Sequence, residues 1–396
     1  MTGSAQSISF VIPCLNERAT IGLVLDKINR LREKELAGRE TEIVVSDNGS
    51  TDGSVEVAGA KGARVVHCPI RGYGAALSCG IERATGDLVV FADADDTYDL
   101  LEAPRLIDEL ERHGADLVLG SRLDGEIHKG AMPFMHRRVG TPTLNLLINL
   151  LHAGGGDRVR DCNSGFRCFR RRAFLQWNVK STGMEFASEM LVKALKSGAR
   201  LRHASISLRA ESSDRVPHLR TWRDGMRHLL QILLEAPEFF SLAGITMLLV
   251  SWAALLVGLI WGPISIGIAS VFGLHTLMVA LLGSCFGLSV WGIGLLLSVG
   301  VETRVRSYRL ALRMGEARLF WMIVAFCLLG AGFFLFVLVQ WARNDFVFLE
   351  MEMETLVLTA FGANGLFLVA NIITAHMLKR VHESAVRRHG NEKPDS

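Results

Sequence analysis

Leu88-Val89-Val90-Phe91-Ala92-Asp93-Ala94-Asp95-Asp96 runs from five apolar residues directly into carboxylates. An apolar run of this length, bounded by turn-type residues, is expected of a strand buried on both faces of a parallel sheet. Residues 7–12, 42–46 and 116–119 read the same way. Between them lie helical spacings: Ile21, Val24, Leu25, Ile28 and Leu31; Ala76, Leu77, Gly80, Ile81 and Ala84; Leu106, Ile107 and Leu110. Alternating strand and helix predicts an α/β fold. Ligands of such open sheets bind beyond the carboxyl ends of the strands, so the residues that follow each strand carry the functional reading.

After the first strand comes Pro13-Cys14-Leu15-Asn16-Glu17. After the second comes Asp47-Asn48-Gly49-Ser50-Thr51-Asp52-Gly53-Ser54, and after the strand ending at Ala92 comes Asp93-Ala94-Asp95-Asp96. Each alone is ordinary turn chemistry; three at one rim predict a site. Two carboxylates at i and i+2 past a strand can converge on one hard divalent cation, Mg²⁺ or Mn²⁺, which prefers oxygen ligands and bridges carboxylates to substrate phosphates. Gly154-Gly155-Gly156 has no accompanying phosphate-loop lysine and reads as part of a loop.

The charges divide the chain. Lys and Arg number 43 against 40 Asp and Glu, a net +3, yet only 12 of these residues fall within 239–378. A wholly soluble protein, a disordered chain and a disulfide scaffold are thereby excluded. Uncharged runs long enough to cross a bilayer predict four spans, near 239–261, 271–300, 319–342 and 355–378. Arg304, Arg306, Arg309, Arg313 and Arg318 crowd the loop after the second span. Lys379, Arg380, Arg387, Arg388 and Lys393 crowd the tail at 379–396, whereas the opposite loops hold only Arg343. This asymmetry predicts a multi-pass integral membrane protein with both termini and the first 238 residues in the cytoplasm. Trp261, Trp321 and Trp341 sit at span ends as interface anchors. Seven cysteines without a C-x-x-C pair fit reduced thiols and no zinc site. Met1 to Ser7 lacks the features of a secretory signal.

Val11-Ile12-Pro13 with Asn16-Glu17, the 46–53 turn, Arg71-Gly72-Tyr73-Gly74-Ala75-Ala76 and Asp93-Ala94-Asp95 together resemble family-two glycosyltransferases of the GT-A fold. Within that group the chain is similar to the polyprenyl-phosphate (dolichyl-phosphate) sugar synthases. Asp161-Cys162-Asn163-Ser164-Gly165-Phe166-Arg167 is similar to their acceptor loop, and Gly183-Met184-Glu185-Phe186 also matches. The resemblance covers about residues 7–230 and implies a GT-A domain over 1–215; the residue pattern itself predicts a juxtamembrane amphipathic helix over 216–238 and the membrane region beyond. The resemblance implies that Pro13, Asn16, Glu17, Asp47, Arg71 and Asp93 bind a nucleotide-sugar, and that Asp93 and Asp95 hold Mg²⁺ or Mn²⁺. It also implies that Asp161 and Arg167 lie at the catalytic junction of donor and acceptor. One departure is Asp96-Thr97-Tyr98-Asp99, where many mannose-type members have Leu-Gln; it favours UDP-glucose or a UDP-N-acetylhexosamine over GDP-mannose.

A lipid monophosphate is largely ionised at neutral pH, its second pKa being about 6, so it needs no strong general base. The expected reaction is one in-line displacement at the anomeric carbon, with inversion. Two segments suit a lipid acceptor. Met132 to Arg138, followed by Leu144, Leu146, Leu147, Ile148, Leu150 and Leu151, joins apolar residues to a basic pair. Residues 215–240 interleave Arg220, Arg223, Arg227 and His228 with Trp222, Met226, Leu229 and Leu230. Arg137, Arg138, Arg215 and Arg220 are the candidates for the acceptor phosphate. The expected partners are therefore a nucleotide-sugar, a polyprenyl phosphate and the membrane, with no nucleic acid; a homo-oligomer is compatible with the sequence. Competing readings are a processive polysaccharide synthase, for which Gln176-Trp177 lacks the Gln-x-x-Arg-Trp spacing, a transferase to another lipid such as a diacylglycerol, and a catalytically silent membrane scaffold.

Overall fold

A computed structural model of the 396-residue chain describes residues 6–210, 221–266, 269–301, 305–343 and 353–391. Two compact units divide it, Met1–Leu233 and Leu234–Ser396.

In the first unit the four expected strands form as β1 (Ile8–Cys14), β2 (Thr41–Asp47), β4 (Leu88–Phe91) and β5 (Leu117–Ser121), joined by β3 (Arg64–His67), β6 (Arg167–Arg170) and β7 (Leu201–Ser205). The sheet order is β3-β2-β1-β4-β6-β5-β7. Helices α1 (Ile21–Glu33), α2 (Ser54–Ala60) and α4 (Ala103–Arg112) cover one face. Helices α3 (Tyr73–Arg83), α5 (Thr141–His152), α6 (Arg171–Trp177), α7 (Phe186–Lys196) and α8 (Thr221–Leu234) cover the other. Alternation along each strand sorts the core: Phe10, Ile12, Val45 and Val90 face the first layer, and Val11, Val44, Val89 and Phe91 face the second. Each such fully buried side chain contributes about 1.5–3 kcal/mol. This is the GT-A architecture that the motifs implied.

The four expected strands all run parallel to one another, and the sheet also holds an antiparallel strand that the apolar runs did not announce. β6 runs antiparallel to both β4 and β5. After β5 the chain makes a long excursion over 122–166 and re-enters the sheet from the same rim, so β6 must run back. Apolar periodicity carries no strand direction, and β6 is a four-residue strand with arginine at each end.

Because β1 lies between β2 and β4 with parallel registers Cys14↔Asp47 and Val11↔Phe91, the three carboxylate-bearing turns emerge side by side. Topology reverses there: β2 and β3 lie to one side of β1, and β4 to the other. That is the switch-point crevice where open α/β sheets bind ligands.

The second unit holds α9 (Pro237–Trp261), a short hairpin of β8 (Ile264–Ile266) and β9 (Ala269–Val271), α10 (Leu274–Leu297), α11 (Arg306–Leu312), α12 (Glu316–Arg343) and α13 (Met353–Asn391). Four helices, Pro237–Trp261, Leu274–Leu297, Glu316–Arg343 and the Thr355–Ser384 part of α13, are long and apolar enough to cross a membrane. Small residues allow close helix approach: a Cβ on Gly244 would lie 2.5 Å from the Trp291 nitrogen, and one on Gly258 would lie 2.5 Å from Leu277.

Candidate active site

The ends of β1 and β2 are laced into one turn. Asn16, at a φ of 56°, accepts from the Thr51 N–H at 2.8 Å, and its own N–H donates to Ser50 Oγ at 3.0 Å. The Glu17 N–H donates to Ser54 Oγ at 2.9 Å. Asp47 accepts from the N–H groups of Gly49 (3.1 Å) and Ser50 (2.9 Å) and contacts His67 Nδ1 at 3.1 Å. Burial alone would raise the pKa of Asp47, but the hydrogen bonds from Ser50, His67 and Gly49 outweigh it and hold the carboxyl below its usual range. Arg71 reaches over this turn: Nη1 donates to the Asn48 carbonyl at 2.8 Å, and the guanidinium lies where a Cβ on Gly49 would approach it to 3.0 Å. Asn48 binds Ile70 O and the Gly72 N–H, both at 2.7 Å, so the Arg71 loop is clamped to the β2 turn. Pro13 is buried within β1 opposite Ser46.

At the end of β4, Asp93 Oδ1 accepts from the Tyr73 hydroxyl at 2.8 Å. Burial, and then the Asp93 charge, push the phenol pKa well above its ordinary value, so Tyr73 is a fixed donor. Asp95, 8% exposed, accepts at Oδ1 from the Thr97 hydroxyl (2.6 Å) and N–H (3.1 Å). Thr97, at the position of departure from the mannose-type pattern, therefore orients Asp95. A Cβ on Gly165 would come within 2.5 Å of Asp93 Oδ2, so only glycine lets the 161–167 loop approach this carboxylate so closely. The pair suits Mg²⁺ or Mn²⁺: both are hard oxygen donors two residues apart, and each is oriented by a neighbouring hydroxyl. Among the described residues no group of three His, Cys, Asp or Glu is placed to share an ion. The protein would thus supply two carboxylates and leave the remaining positions to substrate oxygens and water.

In the 161–167 loop the charged residues Asp161 and Arg167 are both buried and held by partners within the domain. Asp161 is fully buried, and Arg122 holds both its oxygens: Nε and N–H on Oδ2 at 2.8 and 2.9 Å, Nη2 on Oδ1 at 2.8 Å. Arg167, expected at the catalytic junction, is also fully buried. It donates to the carbonyls of Ser164 (3.0 Å), Ala187 (2.9 Å) and Cys162 (2.8 Å), with its guanidinium 5.8 Å from the Phe91 ring centre. A guanidinium with three carbonyl partners and no exposed surface braces the loop. Burial lowers its pKa despite neighbouring Tyr73, Cys162 and Asp161. Tyr98 completes the brace by accepting the Gly165 N–H at 2.8 Å.

Residues 9–177 match the model of glycosyl transferase family 2. The chain is 36% identical over 274 residues to the low-salt glycan biosynthesis hexosyltransferase of Haloferax volcanii, covering 69% of this chain and 63% of that relative. It is 31% identical over 211 residues to the dolichyl-phosphate hexose transferase of the same organism, covering 52% of this chain and 85% of the relative. The chain belongs to glycosyltransferase family 2. Among solved structures, the glucosyl-3-phosphoglycerate synthase of Mycobacterium tuberculosis, crystallised with Mn²⁺, UDP and glucosyl-3-phosphoglycerate, is similar at 28% identity and a TM-score of 0.47. That match covers 58% of this chain and 79% of that one.

The remaining candidates in this family 2 member are the four arginines expected to meet the acceptor phosphate. Arg137 and Arg138 are exposed on a π-helical turn (His136–Gly140) leading into α5, beside exposed Phe134, Met135, Val139, Leu146 and Leu150. Thr141, the first residue of α5, accepts from Asn163 at 3.4 Å, so this basic pair lies one turn from the 161–167 loop. Arg215 and Arg220 lie outside the described residues. Helix α8 buries Asp224, His228 and Ile232 while exposing Met226, Leu230 and Leu234, so one face packs on the domain and the other is open.

Three participants escape a motif reading. Arg122 carries no local signature; its role exists only through Asp161, 39 residues away. Tyr73 sits inside a recognised motif but reads as a helix start. Glu185 lies in the loop that leans on the 72–75 turn, where Gly72, at a φ of 135°, brings its backbone so near the Thr182 carbonyl that a Cβ would overlap it. Glu185 Oε1 accepts from the Gly183 N–H at 3.2 Å, while its Oε2 is buried with no hydrogen-bond partner.

Proposed function

We propose that the chain transfers a hexose from a nucleotide-sugar to a membrane polyprenyl phosphate, with inversion at the anomeric carbon. The observation that supports this is the convergence of the β1, β2 and β4 turns on one rim, Asp93 and Asp95 among them, in a chain that also carries four membrane-length apolar helices. The Asn16-Glu17 and Asp47 turns and Arg71 would hold the nucleotide. Asp93 and Asp95 would hold Mg²⁺ or Mn²⁺, which when bound neutralises charge on the departing nucleoside diphosphate. The acceptor phosphate is itself the nucleophile: its oxygen forms the new bond to the anomeric carbon as the diphosphate leaves with the bonding pair. No proton need be removed, which agrees with a site whose buried Asp161 is already held by Arg122. Arg137 and Arg138 would meet the acceptor phosphate and the apolar residues around them its prenyl tail. The orphan Oε2 of Glu185 would accept a hydroxyl of the donor sugar. The departure from the mannose-type pattern at Asp96-Thr97 favours UDP-glucose or a UDP-N-acetylhexosamine as the donor.

The test is purified full-length enzyme with Mn²⁺ or Mg²⁺, labelled nucleotide-sugars, and either polyprenyl phosphate or a diacylglycerol. The expected product is labelled polyprenyl-phosphate sugar of inverted configuration. Asp95→Asn should lower its formation by at least about 100-fold. Label appearing only in diacylglycerol, or retention of configuration, would overturn the proposal.

A further inference from the structure

Asp93, Asp95, Asp96 and Asp99 put four carboxylates within seven residues at the end of β4, and the fold sorts them. Asp93 and Asp95 receive hydroxyl donors from Tyr73 and Thr97. Asp96 and Asp99 are paired with cations from elsewhere in the domain. Lys27 Nζ lies 2.7 Å from Asp96 Oδ1 and 3.4 Å from Asp99 Oδ1, and Arg209 Nη2 lies 2.6 Å from Asp99 Oδ2. The Lys27 and Asp96 side chains are 17% and 21% exposed, so salt and water screen this pair far less than a surface one. Lys27 is carried on α1, on a turn whose Val24 and Ile28 are fully buried in the core.

Asp96 is unusual in its backbone. Its φ of 60° lies in the left-handed region, where a Cβ crowds the chain, although aspartate enters it more readily than most residues. The chain on either side is fixed independently. Ala94 is buried, and the Thr97 carbonyl accepts the Arg209 N–H at 2.8 Å. Asp95 Oδ1 accepts from both the N–H and the hydroxyl of Thr97. Those two bonds span Asp96, so the orientation of the Asp95 carboxylate depends on the conformation held between them.

We infer that Lys27 is a positioning residue for the divalent cation. By pairing with Asp96 it holds that residue left-handed, which keeps Thr97 on Asp95 and Asp95 aimed beside Asp93. The inference rests on the reading of Asp93 and Asp95 as the Mg²⁺ or Mn²⁺ ligands. It adds a residue on another element, 69 positions from the partner through which it acts. The sign of its effect separates this role from simple electrostatics. Removing a positive charge near a cation by itself favours the cation, so a through-space effect of Lys27 would make Mn²⁺ bind more tightly in its absence. A positioning role makes Mn²⁺ bind more weakly.

The experiment measures the Mn²⁺ affinity of the purified full-length protein by electron paramagnetic resonance, with saturating UDP or GDP and a protein-free control. Lys27→Met should weaken Mn²⁺ binding about tenfold, the lower end of what losing a partner behind a metal ligand costs. Lys27→Arg should bind Mn²⁺ as the wild type does. Asp96→Gly, which adopts a positive φ without crowding, should also bind like the wild type, and adding Lys27→Met to it should cost nothing further. Asp96→Ala, which loses the pair but keeps a Cβ, should match Lys27→Met and takes its place if that variant does not stay folded. Unchanged or tighter Mn²⁺ binding in Lys27→Met, or the same tenfold loss in the Asp96→Gly background, would overturn the inference. Asp95→Asn binding Mn²⁺ like the wild type would instead overturn the assignment of the metal ligands, and the inference with it.

Discussion

Asp161 illustrates how much a side chain's role depends on its partner. Removing one member of a buried ion pair leaves an uncompensated charge and costs about 3–5 kcal/mol, whereas replacing both members by apolar groups is often neutral. Arg122→Met should therefore lower the thermal midpoint markedly, and Arg122→Met/Asp161→Leu should recover most of that loss. A double variant as unstable as the single one would show that the pair contributes more than mutual neutralisation. Glu185 poses the converse case, a buried oxygen with no partner. Glu185→Gln should raise the KM for the nucleotide-sugar about tenfold, the scale of one hydrogen bond, while leaving the affinity for the free nucleotide unchanged. Equal weakening of both ligands would place Glu185 outside the sugar subsite.

At the scale of elements, α8 ties itself to the domain through a histidine. His228 Nδ1 lies 2.7 Å from Ser188 Oγ, and burial, outweighing the nearby Glu185 and Asp224, depresses its pKa from 6.5 to about 4. The unfolded imidazole takes up a proton below about pH 6.5, but the folded one does not until about pH 4. The stability this group contributes is thus complete above pH 6.5 and is lost as pH falls towards 4, by about 3 kcal/mol in all. His203, depressed to about 4 by burial and by Arg160, acts in the same direction. The unfolding midpoint of the first unit, followed by tryptophan emission, should drop between pH 7 and pH 5, and His228→Gln should flatten that drop. A midpoint that holds steady down to pH 5 would mean that α8 is not docked through a neutral histidine.

For the whole molecule, the charge asymmetry about the spans predicts that the loop after the second span and the tail share the cytoplasm with the first unit. A cysteine placed at Ser265, in the hairpin after the first span, should react with an impermeant maleimide on intact cells. One placed at Ser396 should react only after lysis; the reverse pattern would invert the topology. Much of this architecture is legible in one dimension. Strand runs, helical spacings and the four spans follow from apolar periodicity and from the cost of placing charge in hydrocarbon, both local properties of the chain. The carboxylates of the site are legible too, because a parallel sheet delivers its loops to one rim. The antiparallel β6, the coupling of Arg122 to Asp161, the burial of Arg167 and the orphaned Glu185 oxygen were decided by tertiary structure alone. Each depends on groups distant in sequence meeting in a low-dielectric interior. There a charge's role is set by the partner that reaches it, and no pattern of neighbouring residues encodes that partner.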